Sequence, residues 1–369
     1  MRPFPSPQRR LPGAALVAAV LVGLLAAPAG ATARVGVVRS PGAGLGARLY
    51  GVAFGSPSSG WAVGSRGRTL EGPTELDVLI QRWDGARWTT VTTEAVASSD
   101  EALTGVAALS ATDAWAVGWQ DRYGYNADLP ILLHWDGATW SPVTGAMATG
   151  RLWSVAASGP DDVWALGTQL QHWDGRSWSV VPLADVAAAH AYTAVAASSP
   201  TDAWVVGSTF IGTYGSRGQT LVQHWDGSSW SVVPTATTDL DDRLTAVGAA
   251  GGRAWAVGSS SGQALAMRWD GRSWRRAALP ATAGAAGLAG VTVAADGTAW
   301  AVGHHDAHDA NGWAVWHTLV ERFDGRAWRI VDSPNPAVGE SWFQAAGAVG
   351  TTAWLVGADR DALVARAVA

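Results

Sequence analysis

Seven times along these 369 residues a tryptophan is followed by two small or aliphatic residues and then glycine: Trp61–Gly64, Trp115–Gly118, Trp164–Gly167, Trp204–Gly207, Trp255–Gly258, Trp300–Gly303 and Trp354–Gly357. The copies recur every 49 residues or so, roughly the period of propeller and solenoid repeats. A unit of that length buries its apolar face only by stacking on neighbours, so the recurrence points to one closed assembly of repeats over residues 34–369.

The fourth copy shows the unit most fully. Tyr192–Ser198 reads as a strand, a Ser-Pro-Thr-Asp turn follows, and Ala203–Gly207 forms a second strand. Leu221–Trp225, the turn Asp226–Ser229 and Trp230–Val233 complete it. Short runs rich in β-branched and aromatic residues, broken by Gly, Pro, Asp and Ser, are strands joined by tight turns. Four such strands make one propeller blade. The expected fold is therefore all-β, a seven-bladed propeller with blades near 49–91, 103–143, 152–181, 192–233, 244–277, 288–331 and 343–368. The last copy stops short of a fourth strand, and Arg34–Val38 is expected to supply it, closing the ring and hiding an edge.

Asp-Gly-x-x-Trp turns begin at Asp84, Asp136, Asp174, Asp226, Asp270 and Asp324. Aspartate bonds the turn backbone and glycine takes the positive φ. Repeat positions account for 18 of the 23 tryptophans and for His134, His172 and His224, all expected to hold blades together. Left over are Trp119, Trp153, Trp313, Trp316 and Trp342.

The Trp-x-Val-Gly strand followed by an Asp-Gly-x-x-Trp turn resembles the secreted bacterial propellers with Asp-box (BNR-like) hairpins. It is also similar to photosystem II assembly-factor-like propellers. The Asp-box pattern is Ser-x-Asp-x-Gly-x-x-Trp, whereas aspartate and glycine are adjacent here. The resemblance covers residues 49–369 and implies the fold. Sialidases share such turns, but their Arg-Ile-Pro motif is missing.

The first 33 residues carry Arg2, Arg9 and Arg10, an apolar run from about Ala14 to Ala27, and the small-x-small residues Ala31-Thr32-Ala33. That order is a secretory signal cleaved near Ala33, with an uncleaved anchor as the alternative. It predicts a secreted or extracytoplasmic protein that meets the membrane only through its export signal. Cysteine and lysine are absent. Their absence excludes thiolate nucleophiles, disulfides, lipoprotein attachment, P-loop lysines and Schiff-base chemistry. A formal charge of −5, more acidic once the signal's arginines are removed, argues against nucleic acid as partner.

In a four-stranded meander the short first–second and third–fourth turns share one face of the disc. The other face takes the second–third loops and the blade connectors, here long and irregular over 119–130, 208–220 and 304–318. Function favours irregular loops on a rigid scaffold. The spare aromatics Trp119, Tyr123, Tyr125, Tyr214, Trp313, Trp316 and Trp342 fall on that variable face, suited to stacking on a carbohydrate or peptide, or else to folding each loop onto its blade. Arg48, Arg151 and Arg243 precede innermost strands and sit near the channel mouth, as anion ligands or as solvated rim. His304, His305 and His308 form a run dense in metal-ligand types. No catalytic residues stand out: there is no nucleophile elbow, no phosphate loop and no marked carboxylate pair. The expectation is a monomeric module without cofactor that binds a cell-envelope or extracellular glycan or protein. The alternative is a sialidase- or lyase-like glycan-cleaving enzyme.

Overall fold

The computed structural model describes residues 33–368 except 42–43, 45, 68–75, 94–99, 122–127, 144–149, 212–216, 236–240, 310 and 337–338. The export segment, Tyr123, Tyr125 and Tyr214 lie outside the described residues.

Among the described residues, 28 strands pair into seven four-stranded antiparallel sheets, and no helix occurs. Each of the first six sheets is one consecutive meander, as in blade 4, with Asp202–Ile211 between His190–Ser199 and Arg217–Trp225. The seventh takes its outer strand from the far end of the chain. Arg34–Val37 pairs with Asp361–Val368, Arg34 opposite Val368 and Val37 opposite Ala365. The fold is an all-β, seven-bladed propeller closed by an N-terminal strand.

The repeated glycine has a steric cause. Every innermost strand slips register by one residue at the same point, between Leu49 and Gly51, Leu103 and Gly105, Leu152 and Ser154, Tyr192 and Ala194, Leu244 and Ala246, Leu288 and Gly290, and Phe343 and Ala345. Such a bulge bends the strand and tips a carbonyl toward its neighbour. The neighbour is the glycine of Trp-x-x-Gly. A Cβ on Gly64 would lie 1.8 Å from the Arg48 carbonyl oxygen, and one on Gly207 2.0 Å from that of Ala191.

The tryptophans explain the rest of the period. The core is divided into seams between blades, six of them closed by the tryptophan of one blade against the hairpin rings of the next. Trp61 meets Trp135 and Trp140 at 4.7 and 4.9 Å between centroids, and Trp164 meets Trp225 and Trp230 at 5.3 and 5.2 Å. Edge-to-face pairs of this kind contribute about 0.5–1.5 kcal/mol beyond their burial. The seam between blades 6 and 7 differs because blade 7 has no hairpin. There Trp300 packs in a cluster with Ala365, Ala367 and the closing strand's Val35.

Candidate functional site

The variable face is less irregular than the sequence implies. Second strands run on to Asp121, Ile211 and His308, and third strands resume at Leu129, Arg217 and Ala314. The described residues of the 119–130, 208–220 and 304–318 stretches are therefore largely strand, as arms of hairpins. Apolar alternation, the sequence signal of a strand, ends where the core ends, whereas the backbone ladder continues through polar residues. Blades 3 and 5 lack such arms. Their second and third strands turn back within a few residues, at Thr168–Gln169 and Ser261–Gly262.

On the arm of blade 6, His304 stacks on Trp316 at 4.5 Å and 30°. Trp316 meets Trp342, the first residue of blade 7's innermost strand, edge-to-face at 6.2 Å. Arg48, the first residue of blade 1's innermost strand, places its guanidinium carbon 5.4 Å from the Trp342 ring centroid. One row of rings and cation thus crosses three blades, with Trp316 40% exposed. Burial among these rings lowers the His304 pKa despite nearby Asp306 and Glu340, which favours the neutral ring.

A second cluster joins blades 2 and 3. The Arg151 guanidinium carbon lies 3.9 Å from the Trp119 ring centroid, and the same group donates to Asp128 through Nε at 2.5 Å and Nη2 at 3.3 Å. A cation over an indole face contributes about 0.5–2 kcal/mol, more as water is excluded. Arg243 pairs with Asp241 at 3.8 Å. Each of the three rim arginines thus has its own local partner. Trp313 stands on the tip of the blade 6 arm, 73% exposed.

His304, His305 and His308 lie along one strand, so side-chain alternation sends His305 to the face opposite the other two. Among the described residues no group of three or more His, Cys, Asp or Glu is gathered to hold an ion. The repeated histidines serve the blades. His172 Nε2 sits 2.7 Å from Asp162 Oδ1, the ring stacks on Trp164 at 4.1 Å, and blades 2 and 4 repeat both contacts.

The sequence points to the mouth of a channel but not to its lining. The innermost strands enclose about 540 Å³, lined among others by Tyr50, Thr104, Trp153, Tyr192, Thr245 and Gln344. Threonines at the bulge tie neighbouring blades: Thr104, Thr193 and Thr245 donate to the carbonyls of Leu152, Leu244 and Leu288 at 2.9, 2.9 and 2.6 Å. Burial pushes the Tyr192 hydroxyl up to about 12, partly offset by the Gln223 amide that donates to it. The available signal was Trp153, a spare tryptophan at the bulge position that threonine holds in other blades.

No family model and no curated protein sequence matches this chain. Solved propellers match its fold. YCF48 from Cyanidioschyzon merolae is 15% identical with a TM-score of 0.55, covering 91% of this chain and 98% of that one. YCF48 bound to a D1 peptide gives 15% and 0.54, over 91% and 97%. The WD40 propeller domain of Doa1 is 12% identical at 0.59, over 90% and 96%. At such identities the likeness is one of architecture: this chain has the β-propeller fold that these proteins share.

Proposed function

We propose that this chain is an exported recognition propeller that binds a protein or carbohydrate ligand across its variable face. The reading is carried by the row His304–Trp316–Trp342–Arg48, which lays stacking surface and a cation over three blades. Rings held against one another lose little entropy when a ligand docks, which suits them as anchors. The Trp119–Arg151–Asp128 cluster offers a second stacking point on the same face. The solved complex of YCF48 with a D1 peptide adds a fold-level analogy for a peptide ligand. Export rests on the charged, apolar and small-residue order of the first 33 residues. Glycan cleavage draws less support: Asp128 is occupied by Arg151, and Glu101 and Glu321 are buried.

Glycan and peptide arrays probed with the protein lacking its first 33 residues provide the test. Replacing Trp119 and Trp316 by Ala abolishes retention of any ligand found and leaves the melting temperature within a few degrees. Full retention by the folded double variant would reject the proposal.

A further inference from the structure

We propose that His305 and His317 form a two-imidazole site for a divalent transition metal ion at the root of the blade 6 arm. The two residues stand directly opposite one another on adjacent strands, Ala299–His308 and Ala314–Phe323. Their rings lie edge-to-face with centroids 5.9 Å apart. Opposite residues of an antiparallel pair have Cβ atoms about 4.5–5.5 Å apart, so side-chain rotation alone brings both rings onto one ion. His305 also pairs with Ala286 of the innermost strand, which fixes its backbone from both sides.

The ring of His305 is oriented as a ligand. Its Nδ1 lies 3.1 Å from the Asp306 carbonyl oxygen. A carbonyl only accepts, so in the neutral ring Nδ1 carries the proton and Nε2 keeps the lone pair. Metal-bound imidazoles are commonly held this way, with the second ring nitrogen donating to a backbone carbonyl. His305 also borders a cavity of about 420 Å³ whose wall includes Asp332, Ser333 and Asn335, leaving room for water to complete the coordination shell. Imidazole donors suit Zn²⁺, Ni²⁺ and Cu²⁺ rather than Ca²⁺ or Mg²⁺. Strand pairing thus assembles a donor set that the sequence run His304, His305, His308 does not. An ion there staples the two strands of the arm that bears Trp316 on its third strand and Trp313 at its tip, and its binding is independent of whatever those rings engage.

The test uses the full chain without an affinity tag. Calorimetric titration with Ni²⁺ or Zn²⁺ gives one saturable site per chain, and Cu²⁺ bound there shows electron paramagnetic resonance coupling to two nitrogens. His317→Gln and His305→Gln each lose the site, whereas His308→Gln, on the opposite face, retains it. A His317→Gln variant of unchanged melting temperature that binds like the parent would overturn the proposal. So would loss of the site in His308→Gln.

Discussion

At the scale of the residue, the most informative position is the glycine of Trp-x-x-Gly. Its recurrence is visible in the chain, but its cause is not, because the carbonyl it must avoid belongs to the neighbouring strand's bulge. Gly207→Ala forces the backbones apart and costs on the order of 1–3 kcal/mol, the range of overpacked sites. Gly159→Ala, where an added Cβ meets nothing within 4 Å, stays within about 0.5 kcal/mol. Urea denaturation of the two variants compares them directly, and equal losses would refute the steric account. Glu321 carries a second prediction. Two residues before the ring that precedes each Asp-Gly turn (Trp83 and Trp225), Gln81 and Gln223 pair with connector backbone: Gln81 donates to the Pro41 carbonyl at 3.3 Å, and Gln223 exchanges bonds with both backbone groups of Ala184 at 2.8 and 2.9 Å. Glu321 holds the same position in blade 6, fully buried with neither carboxyl oxygen paired, and burial pushes it up to about 7. A carboxyl raised in the folded state binds its proton there while the unfolded chain has released it. Stability therefore falls as pH rises from about 4.5 to 7 and is level above, a loss on the order of 3 kcal/mol. Glu321→Gln removes this slope, measurable as melting temperature against pH from 5 to 8.

At the scale of the element, the six Asp-Gly turns were legible because each is a local device. Asp84 Oδ1 accepts from Ala86 N and Arg87 N at 2.8 Å each, and Gly85 adopts φ 97°. The Ser228 hydroxyl together with backbone N–H groups holds Asp226 near pKa 2, and backbone N–H groups hold Asp324 there, so these turns keep their charge at any ordinary pH. The arms were not legible, since His304-His305-Asp306-Ala307-His308 shows no apolar alternation and its pairing partner lies beyond a turn. The candidate site suffered most from this. His304 and Trp316 are a dozen residues apart, and only the hairpin register makes them neighbours. The closing strand was legible by subtraction, as a missing fourth strand and a spare apolar segment. Deleting residues 34–38 exposes the edge of Asp361–Val368 and removes Val35 and Val38 from two seams. The melting temperature then drops by ten degrees or more in a calorimetric scan, and the free edge promotes association visible by light scattering. An unchanged melting temperature would show that the strand is dispensable.

At the scale of the whole molecule, seven similar blades do not make seven equal seams. Six place a tryptophan between two hairpin rings, as Trp204 sits against Trp269 and Trp274 at 4.9 and 5.2 Å, or Trp255 against Phe323 and Trp328 at 4.8 Å each. The seventh groups Trp300 with Phe343, Leu355, Leu363, alanines and Val35 but with no hairpin pair of rings, so it has less aromatic area to lose on opening. It is also where chain continuity does not hold the blade together, because the outer strand comes from the other end of the sequence. Local opening follows the weakest packed unit, and hydrogen exchange reads its free energy. Amides of Asp361–Val368 and Arg34–Val37 therefore exchange ahead of those in Asp202–Ile211, by at least tenfold under native conditions. Exchange that begins instead at the seam of blades 4 and 5 would mean that ring contacts are not what holds the disc closed. The row from His304 to Arg48 spans the 6–7–1 sector, so a ligand bound there bridges the weak seam and slows exchange in blade 7. The same ligand leaves blade 4 unchanged, which separates bridging from a general stabilisation of the fold.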